Sequence, residues 1–124
     1  MRALLNTALV ATVTMYYCFR AYVARAFDAS GDSVIELARA WARKTTQFTG
    51  IRVKTELRGA LEPGKPYVFM ANHTSSADIW ALYVALPVPV RMLAKIQLGR
   101  VPFLGWAMRA GRFIFIDRKN PQAA

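Results

Sequence analysis

The chain has very little cysteine and histidine, two residue types on which many metal sites, disulfide scaffolds and catalytic centres depend. Among its 124 residues there is one cysteine, Cys18, and one histidine, His73. A single cysteine excludes an intramolecular disulfide framework and a thiolate metal cluster, and it fits a reducing compartment. A single histidine excludes a metal site built on several imidazoles. The sequence therefore predicts no metal site and no disulfide-stabilised scaffold.

Acidic residues are also few. Seven Asp and Glu stand against 17 Lys and Arg, which gives a formal net charge of +10, yet 55% of the residues are hydrophobic. This hydrophobic content argues against disorder and predicts one small folded domain. Nucleic-acid binding would call for basic residues clustered on one element with interleaved aromatics, a pattern the chain does not have. The partners we expect are an anionic membrane surface and an anionic substrate, and no nucleic acid.

The first 27 residues predict a membrane anchor helix. Residues 3–19 carry no charge and are bracketed by Arg2 on one side and by Arg20 and Arg25 on the other. As a helix this stretch measures about 26 Å, slightly less than a hydrocarbon core of about 30 Å. It either spans the bilayer, with its tyrosines and arginines at the interface, or lies along the membrane surface.

Two other interpretations of this segment stay open. One is a cleavable signal peptide, because Ala-Arg-Ala at 24–26 resembles a cleavage site, although Arg20 and the lack of cysteine pairs argue against it. The other is a buried amphipathic helix, which fits poorly because charge is absent all round the segment. The excess of Arg and Lys after the apolar stretch predicts the cytoplasmic face of the inner membrane for the rest of the chain.

Beyond the anchor, helical and extended patterns alternate. The capping-box spacing of Ser33 and Glu36 predicts the start of a helix. The later segments predict, in order, a half-buried strand at 51–58, a buried strand at 67–71, a helix at 78–86, a strand near 90–94, a helix at 102–110 and a strand at 112–117. This order predicts an α/β fold with a mostly parallel sheet and flanking helices. Ligands of such sheets bind beyond the carboxyl ends of the strands, where the stretch Asn-His-Thr-Ser-Ser-Ala-Asp at 72–78 begins.

His73 and Asp78 form the candidate catalytic pair of that stretch. Residues five apart on one helix lie about 140° apart, so the two side chains meet only across a loop. With Ser75 as N-cap, Asp78 becomes the third helical residue, where the helix dipole keeps a carboxylate ionised. An ionised carboxylate beside an imidazole holds one tautomer and makes the histidine an effective general base. The alternative is that Asp78 only caps the helix and His73 is an incidental loop residue.

Three motifs in the same order carry a family resemblance. The stretch at 72–78 resembles the Asn-His-x-x-x-x-Asp block of the glycerolipid acyltransferases, especially the lysophosphatidate (1-acylglycerol-3-phosphate) acyltransferases. Residues 94–111 are similar to the segment that comes after this block in the family, and Phe-Ile-Phe-Ile-Asp-Arg at 113–118 resembles the second block. The likeness covers about residues 50–120.

The resemblance implies a reaction and a role for the pair. His73 would take the proton from the free hydroxyl of lysophosphatidate, whose oxygen attacks an acyl thioester of coenzyme A or acyl carrier protein to give phosphatidate. Asp78 would orient and charge-stabilise His73, without an acyl-enzyme intermediate. The reaction uses the thioester as co-substrate and implies no cofactor. Asn72, the first residue of the block, is counted with the substrate-binding residues.

Three further residues are implied in substrate binding. Arg118 would hold the acceptor phosphate, with a surface ion pair to Asp117 as the alternative. Gly111 matches the glycine of the second block but stands one residue further from the arginine than usual, and a helix C-cap explains it equally well. Lys95 would lie near the mouth of the active site, although Gln97 stands where the family often has an acid.

The family's third block, resembling Glu-Gly-Thr-Arg, and its proline-containing fourth block have no counterpart up to Ala124. We therefore expect residues 1–27 to be the anchor and residues 28–124 to be the N-terminal part of an acyltransferase domain. Two alternative functions stay open. One is a non-enzymatic basic membrane-binding protein, and the other is an acyltransferase for a different lysolipid.

Overall fold

The structure is a computed structural model that describes residues 2–117. Its elements in chain order are α1 (Arg2–Ala24), α2 (Asp32–Thr49), α3 (Ala77–Ala85), β1 (Leu93–Lys95), a 3₁₀ turn (Leu98–Arg100), α4 (Leu104–Ala110) and β2 (Ile114–Ile116). The two strands pair in parallel, with Leu93 opposite Ile114. The described chain is thus helix-rich with one small parallel sheet.

Most of the predicted elements are confirmed. The helices predicted after Ser33, at 78–86 and at 102–110 are α2, α3 and α4, and the last two predicted strands are β1 and β2. The prediction of strands at 51–58 and 67–71 is wrong, because neither segment forms a ladder. A strand is stable only when a neighbour accepts its hydrogen bonds, and Val68 and Met70 are 92% and 94% exposed. The sheet of the described chain therefore has two strands.

The start of α2 is set by Asp28 and not by Ser33 as predicted. The Asp28 carboxylate accepts the backbone N–H groups of Ser30 at 2.8 Å and Ser33 at 2.7 Å, and it also accepts the Ser30 hydroxyl. The bond from the Ser30 hydroxyl, followed by the bonds from Ser33, holds the pKa of Asp28 well below its usual range. Gly31 precedes the helix with φ 81°, a left-handed conformation that glycine adopts without steric cost.

Small side chains form the core where α1, α2 and α4 meet. Its buried members are Cys18, Ala21, Val34, Ala107 and Ala110. Small residues let helix backbones approach closely, and a Cβ on Gly31 would lie 2.7 Å from the carbonyl oxygen of Ala110. Close backbone packing therefore replaces large interlocking side chains in this part of the core.

Side chains of α2 contact both α1 and α3. The indole N–H of Trp41 donates to the Thr14 hydroxyl of α1 at 3.0 Å, and the Trp41 ring meets Trp80 of α3 edge to face at 6.2 Å. Arg39 donates to the carbonyl oxygen of Leu86 at the end of α3, at 3.0 Å. These contacts fix the position of α3, whose first turn carries Asp78.

The predicted anchor segment forms α1, and one face of that helix packs on the rest of the chain. Cys18 and Ala21 are buried on this face. On the outward face, Leu5, Phe19 and Val23 are 64%, 65% and 44% exposed. Among residues 2–117, no helix combines the length and the hydropathy that crossing a bilayer requires.

Replacing Ile35 tests whether the contacts of α2 dominate the stability of the domain. Ile35 is fully buried, at 0% exposure, so Ile35→Ala should lower the free energy of unfolding by about 3 kcal/mol. The same change at Ile114, which is 53% exposed, should cost under about 1 kcal/mol. Urea denaturation followed by circular dichroism measures the free energy of unfolding of both variants. An equal decrease in the two variants would contradict the claim that the contacts of α2 dominate the stability of the domain.

Candidate active site

His73 and Asp78 meet across the loop that precedes α3. The Nδ1 atom of His73 lies 3.2 Å from Oδ2 of Asp78. Because α3 begins at Ala77, Asp78 is the second residue of the helix and His73 stands four residues before its start. The predicted geometry, with the pair joined across a loop, is confirmed. The catalytic role of the pair stays a prediction.

The loop folds around the carboxylate of Asp78. Its Oδ2 atom also accepts the backbone N–H groups of Thr74 and Ser75, each at 2.8 Å. Three donors from consecutive residues thus converge on one oxygen, which turns the chain back over the helix start. Asp78 therefore fixes both the imidazole of His73 and the backbone of the two residues that follow His73.

The helix start differs by one residue from the prediction. The N-cap is Ser76, whose side chain makes no capping hydrogen bond, and not Ser75. The Ser75 hydroxyl nevertheless accepts the N–H of Ala77 at 3.2 Å. The first turn is therefore satisfied from within the loop, and Asp78 is free to bond backward to residues 73–75.

These hydrogen bonds keep Asp78 ionised. The N–H of Ser75, then that of Thr74, and to a smaller extent His73 lower the pKa of the Asp78 carboxyl. An ionised carboxylate accepts a hydrogen bond from Nδ1 of His73 and so leaves Nε2 as the proton acceptor. The side chain of His73 is 57% exposed, which leaves the imidazole accessible to a substrate. The arrangement is suited to general-base chemistry.

The other predicted site residues lie in different parts of the chain. Asn72 is exposed directly before His73. Lys95 is the exposed last residue of β1 and pairs in register with Ile116, so it lies at the carboxyl edge of the sheet. Within residues 2–117 no hydrogen bond or ion pair joins the His73 loop to Lys95. Arg118 lies outside the described residues, so its suggested ion pair with Asp117 stays a prediction.

Gly111 lies in the helical core. It is the buried C-cap residue of α4, and its φ of −79° is open to any amino acid. A Cβ there would lie 3.1 Å from Cγ1 of Val34 and 3.0 Å from the Phe113 ring. Close packing therefore explains why glycine occupies this position, whereas its predicted part in phosphate binding stays untested.

The backbone donors of Thr74 and Ser75 are parts of the candidate site that the sequence does not predict. The spacing predicts that Asp78 serves the helix cap and His73, but the main partners of the carboxylate are backbone N–H groups three and four residues earlier. The spacing of the residues could have predicted these hydrogen bonds, because an Asp in the first turn of a helix can also accept hydrogen bonds from backbone N–H groups of the preceding loop. The loop and the helix start are therefore one hydrogen-bonded unit.

The sequence pattern of the family described as Acyltransferase matches residues 51–124, which is more than half of the chain and includes the His73 loop. The chain belongs to the acyltransferase family. No solved structure matches this acyltransferase chain.

Three relatives show where the likeness lies. The 1-acyl-sn-glycerol-3-phosphate acyltransferase of Saccharomyces cerevisiae is 43% identical over 60 residues, covering 48% of this chain and 20% of the yeast protein. The human 1-acyl-sn-glycerol-3-phosphate acyltransferase alpha is 42% identical over 73 residues, covering 57% of this chain and 25% of its own length. The Pseudomonas aeruginosa 1-acyl-sn-glycerol-3-phosphate acyltransferase is 32% identical over 87 residues, which cover 68% of this chain and 34% of the bacterial protein. The acyltransferase chain thus aligns with a fifth to a third of each relative.

Acidification should release the loop only at unusually low pH. Because hydrogen bonding lowers the pKa of Asp78 below 3.8, the bonds to Thr74 and Ser75 should persist above that pH and be lost as the pH falls through the lowered value. The backbone amide chemical shifts of these two residues, followed by NMR, should titrate with a midpoint below 3.8. In Asp78→Asn the titration should vanish. A midpoint at or above 3.8 in the unsubstituted protein would contradict the geometry.

Proposed function

We propose that the protein transfers an acyl group from an acyl thioester, carried by coenzyme A or acyl carrier protein, to the free hydroxyl of lysophosphatidate, giving phosphatidate. The observation that carries the proposal is the His73–Asp78 pair, joined at 3.2 Å in a chain of the acyltransferase family. The acceptor is inferred from the relatives, whose names give 1-acyl-sn-glycerol-3-phosphate as their substrate.

The proposed step is a direct attack assisted by a base. Nε2 of His73 takes the hydroxyl proton while the acceptor oxygen forms a bond to the thioester carbonyl carbon. The tetrahedral intermediate then expels the thiolate, and the imidazolium returns the proton to the sulfur. Asp78 stabilises the imidazolium because its carboxylate is already ionised and held by Thr74 and Ser75.

The acceptor's phosphate is proposed to bind through cations at the carboxyl edge of the sheet. Lys95 ends β1 at this edge and is exposed. Arg118 follows Asp117 directly after β2, and its planar fork of donors suits a phosphate. Asn72 is proposed to contribute its amide beside His73. Gly111 acts on this site only through the packing that places the end of α4 before β2.

The proposed location is the cytoplasmic face of the inner membrane. An uncharged segment bounded by Arg20 and Arg25 at its C-terminal end favours the cytoplasmic side for the residues after it. The outward apolar face of α1 is proposed to rest against the bilayer, whose anionic lipids attract a basic chain. A lysophospholipid acceptor would then reach the site from the membrane.

Removal of the base tests the reaction. His73→Ala in the whole protein should lower the rate of acyl transfer from acyl-CoA to lysophosphatidate by about 10²–10⁴-fold, because a positioned general base contributes that much. Ser76→Ala is the matched control in the same loop, since the Ser76 side chain makes no capping hydrogen bond, and it should keep the rate. Vesicle binding should be unchanged in both variants.

Unchanged turnover in His73→Ala would overturn the general-base role. Absence of turnover in the unsubstituted protein, with vesicle binding retained, would favour the non-enzymatic membrane-binding alternative. Turnover with a different lysolipid and none with lysophosphatidate would show that the acceptor is that other lysolipid.

The phosphate role of Arg118 is tested by Arg118→Lys. Loss of a bidentate contact to phosphate should raise the KM for lysophosphatidate by about tenfold with a smaller effect on kcat, since charge-assisted hydrogen bonds contribute about 1.5–3 kcal/mol. Arg58→Lys is the control, because Arg58 pairs with Glu56 on the exposed surface and should not change KM. An unchanged KM in Arg118→Lys would remove Arg118 from the phosphate site.

A further inference from the structure

Three aromatic side chains pack together where α1 meets α4, and each is about half exposed to solvent. The Trp106 ring lies 6.1 Å from the ring of Tyr22 and 5.1 Å from that of Phe103. Their exposures are 59% for Tyr22, 46% for Phe103 and 50% for Trp106. We call these three residues the aromatic junction. Large rings that cluster at a surface and remain exposed mark an interaction site more often than isolated exposed apolar residues do.

The backbone holds Phe103 in this cluster. Phe103 is the N-cap of α4 and has φ 62° and ψ −55°, a conformation uncommon for a bulky residue. Its ring makes an edge contact with Trp106 and remains half exposed. The chain therefore adopts an unfavourable backbone conformation at a position whose side chain adds little to the buried core.

The junction continues onto the outward face of α1. Phe19 stands three residues before Tyr22 and four residues before Val23, and the exposures of Phe19 and Val23 are 65% and 44%. Residues at these spacings share one side of a helix. Exposed apolar side chains are thus present on both α1 and α4, two elements that are far apart in sequence and meet at the Tyr22–Trp106 contact.

The two helices that carry this surface contain basic residues and no acid. The basic residues are Arg2 and Arg20 in α1 and Arg109 in α4. A second copy of this chain would oppose like charges across the contact, whereas an anionic bilayer complements them. Tyr and Trp also favour the membrane interface, where the ring is in an apolar layer and its polar atom reaches water.

We infer that the aromatic junction inserts into the interface of an anionic lipid bilayer and is a second membrane contact beside the apolar face of α1. Two contacts on different elements set the orientation of the domain, because one helix alone leaves rotation about its axis free. The β1–α4–β2 unit is then held at the lipid surface, together with Lys95 at its carboxyl edge. The inference rests on the proposed function, from which it takes the contact of α1 with the bilayer and an acceptor that resides in a membrane.

The test is vesicle binding by the full chain. Phe103→Ser combined with Trp106→Ser should weaken co-sedimentation with vesicles of equal parts phosphatidylcholine and phosphatidylglycerol by about tenfold, because apolar area leaves the interface. Phe48→Ser is the matched control, since Phe48 is 45% exposed on α2 and lies outside the junction. It should bind as tightly as the unsubstituted chain. An equal loss of vesicle binding in both variants would overturn the inference, because binding would then depend on exposed hydrophobic residues in general and not on the junction.

A second measurement holds even if the double variant unfolds. Phe103→Cys and Phe48→Cys, each combined with Cys18→Ala, can carry an environment-sensitive NBD label. Anionic vesicles should shift the emission to shorter wavelength at position 103 and not at position 48. No shift at 103, or dimerisation without lipid that protects the label equally, would overturn the inference. Acyl transfer is not part of either readout, so failure of the proposed reaction would leave this result independent.

Discussion

The hydrogen bond from the Trp41 indole to Thr14, made while the same ring meets Trp80, ties three helices together at one residue. Trp41 belongs to α2, whose Ile35, Ala42 and Thr45 are fully buried. Because α3 is held by α2, the first turn of α3 has a defined position, and Asp78 is in that turn. The location of the candidate base therefore depends on packing that begins far from the loop.

Within the loop, local chemistry decides the geometry. Asp78 draws the N–H groups of Thr74 and Ser75 and the imidazole of His73 to one oxygen, so the orientation of the histidine does not rely on contacts from the sheet. This independence explains how the pair is assembled although residues 51–76 form no helix or strand. A histidine–carboxylate pair can thus be built within one short loop when the carboxylate stands at a helix start.

The parts of the fold that the sequence predicts well are those determined by neighbours along the chain. Helical periodicity located α2, α3 and α4, and the loop spacing located the His73–Asp78 pair. The predicted strands at 51–58 and 67–71 are wrong because neither the alternation of side chains at 51–58 nor the continuous apolar run at 67–71 supplies a pairing partner. For Gly111 the C-cap alternative is confirmed, but its close contact with Val34, 77 residues away along the chain, cannot be predicted from neighbouring residues.

The exposed segment at 67–71 has a further consequence, for behaviour at high protein concentration. Tyr-Val-Phe-Met-Ala carries no charge, and its backbone groups are not engaged in a ladder. Such a segment is a template for pairing between molecules. Lys65 and Pro66 stand directly before it, and residues of these two types act as gatekeepers against strand addition. This stretch is thus protected at one end by a charge and a missing N–H donor.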